Sequence, residues 1–308
     1  MLIFLVCSVF VLIYIEGILT VKTATISKKS LLVKPVVKWV GGKRQLLSEV
    51  DKLKPKNSTW KTFYEPFAGG AAVLFHLQPK MAIINDFNEE LMNIYYVIKK
   101  FPEELISHLG THKNNQDYFY SLRGLDRNPN VYDELSKIER ASRIIYLNKT
   151  CFNGLYRVNS SGEFNAPFGR YDKPNIQNKY IIRAVSKYFN ENNIKIKSGD
   201  YEATLKSANS NSFVYFDPPY DPVSDSSSFT GYTKNGFGRC EQERLKKVCD
   251  ELHKKGVKFL LSNSSTEFIQ DLYSSPDYSI HFVKANRAIS SKGDGRGPIF
   301  EVLIRNYE

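Results

Sequence analysis

Short apolar runs and amphipathic stretches alternate along most of this chain, and that alternation is the first guide to its fold. Residues 63–67, and 82–86 with their apolar start and acidic end, read as strands, with helices beginning near Ala71 and Asn88. Residues 213–216 are continuously apolar and predict a strand; 257–261, apolar but for Lys258, are typical of a strand buried on both faces. Between them a polar, serine-rich loop (222–239) precedes an amphipathic helix over about 241–255, whose apolar side carries Leu245, Val248, Cys249 and Leu252. Residues 266–273 predict a helix, and 278–284 and 299–305 closing strands. This order predicts an open α/β sheet with helices on both faces, binding ligands at the carboxyl ends of its strands. The alternation fails over residues 100–195, where a mainly helical insertion is expected.

The start of the chain has its own pattern. Residues 2–15 are almost wholly apolar, broken only by Ser8. That run is short of the roughly 20 residues a bilayer demands, and it has neither a basic lead nor a small-residue cleavage site. No Met lies between Met1 and Met81. The expectation is an upstream extension, with translation starting at a non-standard codon near residues 26–33 and no membrane partner.

Composition adds a polyanionic partner to this picture. Lys and Arg number 43 against 32 Asp and Glu, a net +11. Residues 140–190 concentrate the excess: Arg140, Arg143, Lys149, Arg157, Arg170, Lys173, Lys179, Arg183 and Lys187 face only Glu163 and Asp172. Tyr146, Phe152, Tyr156, Phe164, Phe168 and Tyr171 interleave with them, as on nucleic-acid surfaces. The four cysteines show neither paired nor metal-ligating spacing, which fits a reducing cytoplasm and a site without metal.

The chemistry is concentrated in three motifs. Asp217-Pro218-Pro219-Tyr220 runs on from the apolar stretch 213–216. A given tetrapeptide arises by chance in a chain of this length on the order of 10⁻³ times. It sets a carboxylate beside a proline carbonyl at a strand end, two acceptors for the two hydrogens of an exocyclic amine, and the tyrosine offers a flat face for a base. Upstream, residues 62–75 read as a strand, a glycine turn (Gly69, Gly70) and a helix start, where backbone can approach a ligand closely. A strand ending in Asp86 follows, 17 residues after Gly69, near the spacing at which an acid grips ribose hydroxyls. The third motif, Lys38-Trp39-Val40-Gly41-Gly42-Lys43, combines an aromatic plate, a flexible Gly-Gly and two cations; alone it reads better as a surface turn with a half-buried Trp.

These motifs, together with Glu65-Pro66-Phe67-Ala68-Gly69-Gly70, Asn85-Asp86-Phe87-Asn88, and the stretches 152–159 and 162–169, resemble the Dam family of DNA adenine methylases. The similarity is strongest to the modification enzymes of Dpn-type and Mbo-type restriction systems and extends over about residues 34–307. One departure is Ala71, where the family often has a third glycine. The resemblance implies a Rossmann-like S-adenosylmethionine-dependent sheet with an inserted, mainly helical target-recognition domain. The implied division is an N-terminal extension (1–33), a catalytic domain (34–99 and 196–308) and a target-recognition domain (100–195). It also implies methyl transfer from S-adenosylmethionine to adenine N6 in double-stranded DNA, usually in GATC, after the base is flipped out, with no metal. A cognate restriction endonuclease acting on the same site, without necessarily touching this protein, is a possible partner.

By the same resemblance Asp217, Pro218 and Tyr220 are catalytic, and Trp39, Lys43, Phe67, Gly69, Asp86 and Asp217 bind the cofactor. Asp200 stands where the family has an acid near the cofactor adenine. Lys38, Asn153, Leu155, Arg157, Pro167 and Arg287 contact DNA, with Arg157 reading a guanine and Arg287 gripping phosphate. Three other readings stay open at this point: a related enzyme acting on RNA or a glutamine amide, a DNA-binding regulator without catalysis, and a membrane-tethered binding module.

Overall fold

The computed structural model describes residues 10–15, 18–23, 29–39, 41, 46–223, 237–286 and 298–308. Residues 1–31 form one compact unit and 32–308 another. In the first, β1 (Phe10–Ile15) pairs antiparallel with β2 (Ile18–Thr23). The second contains the strands β3 (Thr62–Glu65), β4 (Met81–Asp86), β5 (Asn193–Ser198), β6 (Ser212–Phe216), β7 (Lys258–Ser264), β8 (Ser279–Asn286) and β9 (Pro298–Arg305). Its helices are α1 (Leu47–Leu53), α2 (Ala72–Leu77), α3 (Glu89–Lys100), α4 (Pro102–Leu109), α5 (Gln116–Gly124), α6 (Pro129–Asp133), α7 (Lys137–Thr150), α8 (Lys179–Glu191), α9 (Tyr201–Leu205), α10 (Arg239–Lys254) and α11 (Glu267–Leu272). No helix among the described residues is long and apolar enough to cross a membrane.

The seven strands of the second unit form one sheet in the order β5-β4-β3-β6-β7-β9-β8. β5, β4, β3, β6 and β7 are mutually parallel, and β9 runs antiparallel between β7 and β8. Alternate residues along each strand feed two cores, because successive side chains point to opposite faces. Phe63, Ala82, Ile84, Phe213, Tyr215, Leu260 and Leu303 join one core with α2, α3, α7 and α8. Tyr64, Ile83, Val214, Phe216, Phe259, Leu261, Val302 and Ile304 join the other with α9, α10 and α11. The sheet covered on both faces that the apolar runs predict is therefore present.

The helical segment is present too, but it has no core of its own. Leu105, Phe119, Ala141, Ile145 and Tyr146 pack into the same cluster as the sheet residues Phe63 and Ala82. α8 leads directly into β5, so the expected boundary at 195 falls inside a strand. The apolar pattern gives little sign of β5: in Asn-Ile-Lys-Ile-Lys-Ser only Ile194 is fully buried, and the lysines guard a sheet edge.

Two charged groups inside the helical segment are structural. The side chain of Arg143 is 2% exposed, ion-pairs with Asp126 at 2.9 Å and donates to the carbonyls of Leu122 and Arg123. His112 bridges the Tyr118 hydroxyl (2.7 Å) and the Ser142 hydroxyl (2.8 Å). Burial, helped by the nearby His108, lowers its pKa to about 4. A histidine held neutral in the fold but titrating near 6.5 when unfolded contributes stability above that pH, and the contribution is lost as pH falls towards 4. We expect the wild type to be more stable than His112→Gln at pH 8, the gap closing steadily towards pH 4 in urea titrations. A gap independent of pH would refute the assignment.

Candidate active site

Outward from β3 the chain winds through β4 to β5, and outward from β6 through β7 to β9 and β8, so winding reverses between β3 and β6. In an open α/β sheet the crevice for a ligand lies at the carboxyl ends beside such a reversal. Glu65 ends β3, Asp86 ends β4 and Asp217 follows β6 directly, which brings three carboxylates to adjacent strand ends.

Each acid is held by its own local structure. Glu65 is buried and accepts the Leu74 amide of α2 at 3.0 Å. Burial drives its pKa well up; the amides of Leu74 and Val73 oppose this, and the charges of Asp217 and Asp86 add to it. Asp86 accepts the amides of Gly69 and Asn88, both at 2.9 Å, yet burial still raises its pKa, with Asp217 contributing. Asp217 accepts from the Ser262 hydroxyl at 3.0 Å. Acids that push one another upward form a site that a cation relieves.

The turn between β3 and α2 is shaped for close approach. Gly69 has φ +47°, and a Cβ there would stand 3.0 Å from Trp39 Cδ1. Ala71, in the glycine position of the resemblance, adopts a left-handed conformation (φ 52°) and is fully buried. Asn85 ties the turn to the end of β5 by donating to the carbonyls of Pro66 (3.1 Å) and Gly199 (2.9 Å). Its Oδ1 and the Tyr201 hydroxyl are buried without a hydrogen-bond partner among the described residues. Phe67 packs on Tyr201 with ring centroids 4.9 Å apart, giving an aromatic wall beside the acids.

Beyond Asp217 the backbone is pinned by a buried polar chain. The Pro219 carbonyl accepts from Gln242 (2.8 Å), Gln242 accepts from Asn263 (3.0 Å), and Asn263 accepts the Asp221 amide (3.1 Å). Among the described residues none donates to the Pro218 carbonyl. Tyr220 is half-buried and its hydroxyl donates to Glu301 Oε2 at 2.9 Å.

A second group sits on a hairpin formed by residues 151–169, with bridges at Cys151–Phe168 and Val158–Phe164. Asp126, Arg127 and Arg123 stitch it to the end of α5 through the amide and carbonyl of Phe164 and the carbonyl of Ala166. Asn153 (φ 59°), Arg157 and Pro167 are exposed on it, and Leu155 is half-buried. Arg157 Nε donates to Asn165 Oδ1 at 2.7 Å, which orients the guanidinium. Lys38 joins this group: its Nζ donates to the Asn153 carbonyl at 2.6 Å. The buried Asn148 amide clamps both the N–H and C=O of Lys38 at 2.8 Å and reaches the Gly154 carbonyl at 3.1 Å. The two groups meet where Trp39 stacks on Tyr156 at 4.5 Å.

Thus Phe67, Gly69, Asp86, Asp217, Pro218 and Tyr220 gather at the strand ends, Lys38, Asn153, Leu155, Arg157 and Pro167 gather at the hairpin, and Trp39 lies between. Lys43 and Arg287 lie outside the described residues. Asp200 is occupied structurally: it caps α9 by accepting the Glu202 amide and takes both terminal nitrogens of Arg244 at 2.9 Å. The basic count over 140–190 also overstates the outward charge. Arg140, Arg143, Arg183 and Lys187 pair with Glu90, Asp126, Glu103 and Glu191, all outside that window in sequence. Asn148, Tyr156 and Glu301 carry no local signature, because their partners are distant in the chain.

Residues 39–289 match the family model described as D12 class N6 adenine-specific DNA methyltransferase. The chain is 45% identical over 284 residues to the type II methyltransferase M1.LlaDCHI of Lactococcus lactis, covering 92% of this chain and 98% of that protein. It is 42% identical over 294 residues to the type II methyltransferase M.MjaIII of Methanocaldococcus jannaschii (89% and 99% covered). With the DNA adenine methylase of Serratia marcescens it shares 33% identity over 272 residues (87% and 96% covered).

Proposed function

Because this chain belongs to the D12 class N6 adenine-specific DNA methyltransferases, we propose that it methylates the adenine of GATC as the modification enzyme of a restriction–modification system. The enzyme transfers a methyl group to adenine N6 in DNA, with S-adenosylmethionine as the family's co-substrate. The observation that carries the site assignment is the sequence of Asp217, Pro218, whose carbonyl receives no hydrogen bond among the described residues, and the Tyr220 ring, at the strand ends where three acids meet.

The target nitrogen lies inside the duplex, so the adenine must be flipped into this crevice. Tyr220 stacks on the flipped base. Asp217 and the Pro218 carbonyl accept the two amine hydrogens, which draws the nitrogen lone pair out of conjugation with the ring. S-adenosylmethionine supplies the methyl group from a sulfonium, whose positive charge suits the cluster of Glu65, Asp86 and Asp217. Trp39, Lys43, Phe67, Gly69, Asp86 and Asp217 hold the co-substrate, with Phe67 and Gly69 as its floor. Positioning and fixed charge provide the rate, with no covalent intermediate on the enzyme.

Residues 100–195 serve as the target-recognition region. Arg157, held by Asn165, reads guanine O6 and N7 in the major groove, and Lys38 contacts the first guanine. Asn153, Leu155 and Pro167 separate or contact base pairs, and Arg287 grips phosphate. The type II naming of the two relatives at 45% and 42% identity favours a modification role, with an endonuclease cutting the same site, over a solitary one. Such an enzyme works in the cytoplasm, where its DNA is.

The test is methyl transfer from labelled S-adenosylmethionine to duplexes containing GATC, GTTC or CATC. Label on GATC alone is expected. Label on none of them, with co-substrate binding intact, would sink the proposal. Arg157→Ala should narrow the preference for GATC over CATC by about 10–100-fold, since a bidentate base contact is worth about 1–3 kcal/mol. An equal loss on both sites would make Arg157 a phosphate contact.

A further inference from the structure

The geometry points to Glu301 as a positioning residue for the reaction, one that anchors the Tyr220 hydroxyl and so sets where the ring lies when adenine stacks on it. The inference rests on the stacking role proposed for Tyr220.

Glu301 lies on β9 and is paired in register with Ser264 of β7 and Val283 of β8, so its backbone is fixed on both sides. Its half-buried side chain leaves the sheet towards the Asp-Pro-Pro-Tyr segment and accepts the Tyr220 hydroxyl at 2.9 Å. Among the described residues no Lys or Arg forms an ion pair with it. Tyr220 follows two prolines and Asp217 on a loop. Its ring can swing about the side-chain torsions unless its far end is held. The hydroxyl is the atom farthest from the backbone, and a bond there resists swinging with the longest lever. A carboxylate is a strong partner for it, because hydrogen bonds to charged acceptors are shorter and firmer than neutral ones. Burial, with the charges of Asp217 and Glu301, pushes the Tyr220 hydroxyl well above its usual pKa, so it remains a donor through neutral pH. The ring is thereby fixed from β9, an element the chain reaches only after the rest of the site.

A double-mutant cycle tests this. Single-turnover methyl transfer, KM for a GATC duplex and the Kd of S-adenosylmethionine are measured for Tyr220→Phe, Glu301→Ala, Glu301→Gln, the Tyr220→Phe/Glu301→Ala double variant and Tyr220→Ala. Tyr220→Phe and Glu301→Ala should each slow transfer about tenfold with co-substrate Kd unchanged. The double variant should be no slower than Tyr220→Phe alone, which already removes the bond to Glu301 together with the hydroxyl's contact with Ser262. Glu301→Gln should stay within about threefold of wild type, since its amide oxygen can accept the same proton. Tyr220→Phe leaves β9 untouched, so agreement between it and Glu301→Ala excludes a folding defect as the cause. Losses that multiply in the double variant, or a Glu301→Ala enzyme at full rate, would overturn the positioning role. If Tyr220→Ala itself kept full activity, the stacking reading would fall and the inference with it; an inactive Tyr220→Ala beside multiplying single losses sinks the inference alone.

Discussion

Asp217→Ala should lose methyl transfer by about 10²–10³-fold or more, the usual cost of deleting one preorganised polar contact to the reacting group. The fold should barely notice. Asp217 gives up the bond it accepts from Ser262, while its charge currently raises the pKa of both Glu65 and Asp86. The sign follows from linkage. A carboxyl whose pKa folding raises binds more protons folded than unfolded, so stability falls as pH climbs above the ordinary carboxylate range near 4. Without Asp217 that decline is shallower. The variant should match or exceed wild-type stability at pH 7–8, and the advantage should vanish near pH 4. Activity within tenfold of wild type would remove Asp217 from the chemistry. A variant that is inactive because it has unfolded would instead show a lowered urea midpoint at every pH.

Arg143→Met should cost about 3–5 kcal/mol of folding stability, although Arg143 stands in a strongly basic stretch of the chain. Its side chain is 2% exposed and that of its partner Asp126 14%, so the variant leaves an enclosed carboxylate with Arg127, at 3.0 Å, as its remaining cation, and strands the carbonyls of Leu122 and Arg123. Asp126 also holds the Phe164 amide of the hairpin at 2.8 Å, and the damage should therefore reach the proposed DNA-reading surface. Adding Asp126→Asn to Arg143→Met should recover part of the loss, because the enclosed carboxylate is gone and Arg127, a third exposed, can turn to water. Urea titration of the three proteins decides the matter. A loss below about 1 kcal/mol for Arg143→Met would mean that Arg127 alone balances Asp126 and that the buried pair is not what holds this segment.

Arg143 and Asp217 mark opposite limits of what can be read along a chain. Asp217 is legible because its neighbours in sequence are its neighbours in function: an apolar run ends, two prolines straighten the backbone, and an aromatic follows. The glycine turn with Asp86 is legible for a similar reason, since the bond from the Gly69 amide to Asp86 joins the ends of two adjacent parallel strands. Arg143 looks like surface charge because its partner stands 17 positions earlier, outside the stretch in which charge was counted. β5 escapes notice because an edge strand buries little. Glu301 and Asn148 escape because their contacts close over 81 and 110 residues.

The sequence by itself determined the alternating α/β order, the sheet covered on both faces, the helical segment between β4 and β5, and the motifs that resemble an adenine methylase. These are local properties: hydrophobic period, turn chemistry and residues adjacent in the chain report them directly. The tertiary structure alone decided which charges face outward, which acids meet at the strand ends and raise one another's pKa, and what holds Lys38, Arg157 and Tyr220 in place. Those depend on strand order and on side chains from distant segments sharing one small volume, and electrostatic coupling there follows distance and burial, not separation along the chain.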